Sequence, residues 1–173
     1  MIHHLTILVK RYPRPVQDVD AAMAQWHTEY PDLDTLPMSV IGRLANLEAA
    51  GRAAIEVPLE HEGLRRGEFD VLATLRRCGA PYALSPASLA DQLLITRAGL
   101  TSRLDRLETA GLVARSPNPA DGRGKTVTLT AHGRRLVERV LPGHVERERE
   151  LLSALTREEL QTLDALLRRL TAG

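Results

Sequence analysis

The sequence predicts a mainly α-helical fold with one small β-hairpin. Aromatic residues make up only 3% of the 173-residue chain, and hydrophobic residues make up 43%. Apolar burial must therefore come from leucine, alanine and valine, which suits helices packed on helices. Apolar residues recur at helical spacing through most of the chain, whereas the alternation over 126–130 is typical of a β-strand. At this length we expect a single domain that spans residues 17–173.

The N-terminal part is predicted to contain a leader and two helices. Residues 1–16 fit none of the helical patterns, and we expect them to form a disordered leader. The segment 18–30 is an alanine-rich helix, and a second helix runs from about Pro37 until Pro58 ends it. We assign 17–57 to a dimerisation lobe, because the leucine and alanine faces of two subunits can bury each other there.

Three further helices follow at short intervals. The helix over 68–78 has acids in its first turn and arginines in its last, which matches the helix dipole. Ser85 is the predicted N-cap of a short helix that has a proline at its first position and runs to Leu94. Thr96 caps the next helix, and Gly111 stands where a C′ glycine would end it. The tight connection between the last two helices is typical of a helix-turn-helix.

A hairpin follows the last of these helices. The apolar face of the helix repeats at i, i+4 and i+7 through three leucines: Leu100, Leu104 and Leu107. After it, 112–115 and 126–130 are predicted strands around a loop, 116–124, that holds two prolines and two glycines. This order predicts a winged helix-turn-helix over about residues 60–130, with 96–110 as the helix that reads DNA.

Local charge supports a nucleic-acid partner better than the overall charge does. The formal net charge of the chain is only +1. Residues 96–125, however, hold five arginines and one lysine against three acids, a local net charge of +3. Positive charge supplies the sequence-independent part of DNA affinity through phosphate contacts. A surface helix beside a hairpin, without any role in DNA binding, is the alternative.

The C-terminal segment, 131–173, completes the predicted dimerisation lobe. A long helix over 131–152 is expected to be interrupted and kinked at Pro142–Gly143. Thr156 and Glu159 form a capping box for the last helix, whose leucines make a broad apolar face. That face needs a partner, so we expect it in a dimer interface, with packing inside one subunit as the alternative.

The segment PADGRGKTVTLTAHGRRL, residues 119–136, resembles the wing signature of the MarR family of bacterial transcription regulators. Asp121 and Arg123 occupy its Asp-x-Arg positions, and the resemblance extends from about Trp26 to the C-terminus. It implies a homodimer whose two winged units bind a palindromic operator in double-stranded DNA, with half-sites roughly 34 Å apart. Regulators of this family usually repress a neighbouring gene, so we expect a repressor.

Eight residues of the supporting helix, the reading helix and the wing are expected to serve DNA binding: Ser85, Ser88, Arg97, Thr101, Ser102, Asp121, Arg123 and Lys125. The two serines of the supporting helix are placed to donate to phosphates. The resemblance implies that the three residues of the reading helix meet base edges in the major groove. It also implies that the wing-tip arginine, oriented by the aspartate beside it, enters the flanking minor groove.

Four residues look like the signature of the urate-responsive branch of the family: Trp26, Asp70, Arg103 and Arg115. The resemblance implies a pocket between the dimerisation lobe and the winged region, where bound urate weakens DNA binding. Independently, Arg103 lies about 60° around the helix from Leu100, so its cation points toward the protein interior. Asp70 is a candidate counter-charge, and an anionic purine could compete with it.

Other control mechanisms and other classes of protein are alternatives to a urate-responsive regulator. Another phenolic ligand, or redox sensing at Cys78, is an alternative to urate. The sequence lacks a Gly-rich phosphate loop, a zinc protease motif, a nucleophile elbow and a convincing Ser/His/Asp set, so we expect no enzyme and no cofactor. A helical adaptor that does not bind DNA would leave the wing unexplained.

The cysteine count and the hydropathy pattern narrow the remaining possibilities. One cysteine cannot form a disulfide within the chain or a cysteine-based zinc site, and we expect no metal. The sequence has neither a secretory signal nor an apolar run long enough to span a membrane. We therefore expect a cytoplasmic protein with no membrane partner.

Overall fold

The computed structural model describes residues 18–117 and 124–172. The helices are α1 (Val19–Glu29), α2 (Leu36–His61), α3 (Arg66–Arg77), α4 (Pro86–Leu93), α5 (Arg97–Thr109), α6 (Ala131–Leu151) and α7 (Arg157–Thr171), and the strands are β1 (Ala83–Leu84), β2 (Val113–Pro117) and β3 (Lys125–Leu129). This confirms the mainly helical fold with a small sheet. The expected leader, 1–16, and the wing residues Asp121 and Arg123 lie outside the described residues.

Contacts divide the chain into two compact units. One, called unit 1 below, extends to Ile55 and resumes at Glu146, whereas unit 2 is Glu56–Val145. Helices α2 and α6 each contribute residues to both units. Unit 2 therefore contains α3, α4, α5 and all three strands.

The core of unit 2 is built from the apolar faces of α3, α4 and α5 and from the inner face of the sheet. The leucines predicted to form one face of α5 are indeed buried, with exposures of 1%, 2% and 1% for Leu100, Leu104 and Leu107. Facing core residues of the other elements are fully buried: Val71, Leu72, Leu75, Leu89 and Val127. Burial of this leucine face fixes which side of α5 remains outside.

The sheet has the strand order β1-β3-β2, with both pairings antiparallel. The hairpin ladder between β2 and β3 runs from Val113 opposite Leu129 to Pro117 opposite Lys125. Strand β1 pairs with β3 only at its two residues, opposite Val127 and Thr128. This strand was not predicted, because two residues give no alternation to detect, whereas the hairpin was.

Local capping signals set most helix ends where the sequence predicts them. The Ser85 hydroxyl accepts a hydrogen bond from the Ser88 amide at 3.1 Å, and that of Thr96 accepts one from the Gly99 amide at 3.2 Å. Gly111 has the positive φ of +68° expected of a C′ glycine. The predicted capping box at the start of α7 is also confirmed.

Two proline predictions were wrong. Helix α2 passes through Pro58 and ends only at His61, and α6 continues without a break through Pro142. Proline removes one i→i−4 hydrogen bond from a helix. In α2 only three residues follow the proline, and in α6 helical turns on both sides retain their own hydrogen bonds.

Unit 1 leaves much apolar surface exposed. Helix α1 packs on α2 through Val19, and a Cβ at Gly42 would lie 3.1 Å from Val19 Cγ2. Helix α7 has no buried residue, although its leucines form one face. The exposed large apolar residues of this unit are Trp26, Tyr30, Leu33, Leu36, Met38, Val40, Ile41, Leu155, Leu166 and Leu170.

None of the helices in the described ranges is both long and apolar enough to cross a membrane.

Candidate nucleic-acid interface

The outer face of α5 carries the side chains predicted to meet base edges. Arg97, Thr101 and Ser102 are all exposed, because the leucine face of the same helix is turned into the core. Arg97 and Thr101 are four residues apart and therefore lie on the same side of the helix. The Thr101 hydroxyl donates to the Arg97 carbonyl at 2.9 Å. Of the three side chains on this face, that of Arg97 is the longest.

The supporting helix α4 presents its N-terminus through two serines. Besides its capping bond, the Ser85 hydroxyl donates to the Ser88 hydroxyl at 3.1 Å. The N-terminal end of a helix carries unsatisfied amides and a partial positive charge, which favour a phosphate. The predicted phosphate-contacting serines therefore lie together at one helix end.

The turn between α4 and α5 is closed by Leu94 in the left-handed conformation, with φ 52° and ψ 43°. Its side chain is 92% exposed. Because its side chain is exposed, this leucine gains little from burial, and its Cβ raises the energy of the left-handed backbone conformation. Leucine at position 94 is therefore unfavourable for the stability of this turn.

Arg106 is held against the protein by a buried carboxylate. Its Nε donates to Glu68 Oε1 at 2.5 Å, and its Nη1 donates to the Ser102 hydroxyl at 2.9 Å. Only 6% of the Glu68 side chain is exposed, and its other oxygen accepts from the Arg65 amide at 2.8 Å. One acid thus caps α3 and fixes the C-terminal half of α5.

Arg103 points into unit 2, as its helical position predicts. Its Nη1 donates to the Gly67 carbonyl at 3.4 Å. Burial raises the pKa of the nearby Asp70 carboxyl above its ordinary value of 3.8, and the positive charges of Arg66, Arg103 and His144 lower it in part. Asp70 and Arg103 are therefore electrostatically coupled, at the place where the first turns of α3 meet α5.

Arg115 lies at the centre of β2 and is engaged by two carboxylates of α5. Its Nε donates to Glu108 Oε2 at 2.9 Å, and its Nη2 donates to Asp105 Oδ1. The hydrogen bond with Asp105 raises the pKa of Arg115 further above its ordinary range. Lys125 begins β3, is exposed, and pairs with Pro117 across the hairpin.

Trp26 belongs to unit 1, whereas Asp70, Arg103 and Arg115 belong to unit 2. The Trp26 ring is 39% exposed and lies 5.7 Å from the Tyr30 ring, centroid to centroid. It lines an apolar groove of about 520 Å³ between α1 and α2, together with Met23, Met38 and Ile41. The indole is thus partly exposed at an apolar groove within unit 1.

Cys78 is exposed at the end of α3, and its thiol donates to the Leu75 carbonyl at 3.0 Å. Among the residues that the structure describes, no group of three or more histidine, cysteine and acidic side chains is arranged to hold a metal ion.

Sequence reasoning missed four residues that organise this surface: Gly67, Glu68, Asp105 and Glu108. Glu68 is the third residue of α3, where a capping box has its acid, but Arg65 stands at the N-cap in place of serine or threonine, so the motif could not be recognised. Asp105 and Glu108 are three apart on α5 and share a face, but only the fold shows that β2 lies opposite them. Gly67 gives no signal at all in the sequence.

Comparisons with known proteins agree with this architecture. The profile of the MarR family matches residues 62–124. The transcriptional regulator PecS of Dickeya dadantii is 45% identical over 152 residues, which cover 88% of this chain and 92% of PecS.

Two solved structures extend the comparison. A MarR family transcriptional regulator from Streptomyces coelicolor, in complex with DNA, is 26% identical with a TM-score of 0.74, over 80% of this chain and 88% of that one. BpsR of Bordetella bronchiseptica, whose DNA binding is regulated by 6-hydroxynicotinic acid, is 29% identical with a TM-score of 0.68, over 76% and 98%.

These relatives are transcriptional regulators, which confirms the prediction that the protein is not an enzyme. The described winged unit, with the exposed face of α5 beside a β-hairpin, has the form that such regulators use on DNA. On the strength of its sequence and its fold, the chain belongs to the MarR family of DNA-binding transcriptional regulators.

Proposed function

We propose that the protein is a cytoplasmic repressor that binds a palindromic operator as a homodimer and leaves it when a small anionic or aromatic ligand, such as urate, is bound. The observation that carries the DNA-binding part is the exposed outer face of α5, from Arg97 to Ser102, opposite its buried leucine face. In this proposal α5 is the recognition helix, and Arg97, Thr101 and Ser102 read base edges.

Phosphate and minor-groove contacts complete the proposed reading. Ser85 and Ser88 lie at the N-terminus of α4, where a phosphate is favoured. Lys125 begins β3, at the end of the described hairpin ladder that is nearer the wing tip, and Asp121 and Arg123 are proposed from the family resemblance alone. A narrow minor groove has an enhanced negative potential, which would attract the positive charges of the wing.

Exposed apolar surface in unit 1 supports the homodimer. Helix α7 is amphipathic but buries no residue, and Leu166 and Leu170 remain 49% and 70% exposed. Such surface favours association, because each buried leucine removes apolar area from water. Leu166→Glu is therefore expected to yield a monomer by light scattering, whereas Gln161→Glu, at an exposed polar position of the same helix, should keep the dimer.

The cluster around Arg103 supports ligand control. Because Arg103 is rooted in α5 and coupled to Asp70, an anion that drew its guanidinium away would displace the recognition helix. Trp26 and Arg115 enter this ligand set through the family resemblance alone. The 6-hydroxynicotinic acid that regulates BpsR is likewise a small aromatic acid.

The decisive experiment is a mobility-shift titration on DNA upstream of the protein's own gene, with and without urate. We expect the wild type to shift this DNA specifically and urate to weaken the shift. Arg103→Ala should bind DNA but ignore urate, whereas Arg139→Ala, at an exposed arginine paired with Glu62, should behave as wild type. If every variant binds the DNA specifically and urate has no effect on any of them, urate is excluded as the ligand, whereas the DNA-binding role is still supported.

A separate variant tests base reading. Arg97→Ala should lose about 1–3 kcal/mol of discrimination against a changed half-site base. Equal affinity for the operator and for scrambled DNA in the wild type would contradict sequence-specific binding altogether.

A further inference from the structure

Two carboxylates of α5 hold the wing strand β2 at one residue. Asp105 and Glu108 lie about one turn apart, on the same face of the helix. Arg115 donates to both of them through its guanidinium, and its backbone amide donates to Glu108 Oε1 at 3.1 Å. Side chain and backbone of the same strand residue are thus bonded to the recognition helix, and only 19% of the Arg115 side chain is exposed.

This contact lies at the point where the sheet changes from three strands to two. Strand β2 is at the edge of the sheet, so only β3 pairs with it. Strand β1 reaches β3 no further toward the wing tip than Val127, which stands opposite Arg115. Beyond this pair the described part of the wing is a two-stranded ladder, Ser116–Pro117 with Lys125–Thr126. The contacts of Arg115 therefore lie where the three-stranded base becomes a free hairpin.

Apolar packing reaches only the start of β2. Val113 is 2% exposed, whereas the later residues of the strand are half-buried or exposed. Asp105, Glu108 and Arg115 line a cleft of about 520 Å³ together with Ser116, Pro117, Gly124 and Lys125. Because β2 buries no residue beyond Val113, the directional hydrogen bonds of Arg115 hold this part of the strand at a fixed distance from α5. Without the Arg115 side chain, the two carboxylates would repel each other, and two of the three hydrogen bonds described here would be lost.

We infer that Arg115 is a positioning residue for DNA recognition: with Asp105 and Glu108 it clamps the base of the wing to the recognition helix, so that both reach DNA in one fixed geometry. This role does not require a ligand. It rests on the proposed function only in that both α5 and the wing meet the operator. A preset geometry improves affinity because less ordering is needed on binding.

The test compares two duplexes that carry the operator found upstream of the gene. The long duplex extends beyond both half-sites, where a wing would lie, and the short duplex ends at them. We expect the wild type to prefer the long duplex. Arg115→Met should bind the long duplex about tenfold more weakly and the short duplex nearly as well as wild type, which removes most of the preference.

Matched variants separate positioning from folding. Arg139→Met removes an ion pair of unit 2 that involves neither α5 nor β2, and it should keep the full preference for the long duplex. Arg115→Lys, which retains the charge but not the forked geometry, should fall between wild type and Arg115→Met. Adding Asp105→Asn to Arg115→Met should cause no further loss, because both substitutions break the same contact.

Three results would overturn the inference. In the first, Arg115→Met loses affinity equally for both duplexes and has a lowered melting temperature. In the second, Arg115→Met binds both duplexes with wild-type affinity. In the third, the wild type itself binds the two duplexes equally well. Failure of the proposed function has a different signature, since the wild type would then bind neither duplex in preference to scrambled DNA.

Discussion

The guanidinium of Arg103 lies directly against the backbone of Gly67. A Cβ at residue 67 would stand 2.5 Å from Arg103 Cζ and 2.7 Å from its Nε. Atoms cannot approach so closely, so the absence of a side chain at this position is what admits the arginine. The pair joins the recognition helix to the first turn of α3, next to the carboxyl of Asp70.

Gly67→Ala is expected to displace Arg103 with little change in stability. The displaced group is the end of a flexible side chain, and alanine is favoured over glycine in a helix by about 1 kcal/mol. The free energy of unfolding from urea titration should therefore change by less than about 1 kcal/mol. The proposed weakening of DNA binding by urate should be lost, because Arg103 can no longer lie against the backbone of residue 67.

Gly51→Ala is the matched control for this substitution. Gly51 is also helical, and its added Cβ would meet Leu151 Cδ2 at an ordinary 3.4 Å. This variant should retain the urate response. A full urate response in Gly67→Ala would show that the contact between Arg103 and Gly67 plays no part in ligand control.

The carboxyl of Asp70 should make stability fall as pH rises. Burial raises its pKa in the folded protein above the ordinary 3.8, so the folded state binds the proton more tightly than the unfolded state. The contribution is favourable below pH 3.8 and is lost as pH rises through the folded-state pKa. Asp70→Asn should therefore be more stable than wild type at pH 7, as measured by urea titration, and this advantage should shrink at acidic pH.

The neighbouring cations provide the check on this assignment. Arg66→Met removes a charge that lowers the pKa of Asp70, so it should steepen the fall of stability with pH. In the Asp70→Asn background the same change should leave the pH dependence unaltered. A pH profile of Asp70→Asn that parallels wild type would assign the effect to another group.

Leu94 should be replaceable with a gain in stability. Its left-handed backbone costs a leucine about 1–2 kcal/mol, whereas asparagine tolerates this conformation. Since 92% of the leucine side chain is exposed, Leu94→Asn loses almost no burial. We expect its melting temperature to rise. Leu94→Ala keeps the unfavourable backbone, so equal melting temperatures for the two variants would argue against strain at the turn.

Gly133→Ala should be strongly destabilising, in contrast to Gly67→Ala. Its added Cβ would lie 2.9 Å from Leu129 Cδ1 and closer still to the backbone carbonyl oxygen of Leu112. A backbone oxygen cannot turn aside as an arginine can, so α6 or the strand must shift. We expect a loss of about 1–3 kcal/mol in chemical denaturation. Stability equal to that of wild type would mean that this junction adjusts more easily than its packing indicates.

Elements whose signals are local could be predicted from the residues alone. Ser85, Thr96 and Gly111 end or begin helices through hydrogen bonds and dihedral angles that involve only near neighbours. The leucine period of α5 chose its buried face, and with it the outward direction of Arg97. The order of these elements was therefore enough to predict the winged helix-turn-helix.

Which positive charges stay available for DNA depends on contacts between segments that are far apart in the chain. By composition, the arginines of α5 and β2 are equivalent, yet Glu68 engages Arg106, and Asp105 and Glu108 engage Arg115. Glu68, which accepts from Arg106, and Gly67, which accepts from Arg103, both belong to α3, more than thirty residues earlier in the chain. The pairing of β1 with β3 and the contact of Arg103 with Gly67 likewise depend on segments that approach each other only in the folded chain. Such contacts depend on distance in space, which the spacing of residues along a sequence does not encode.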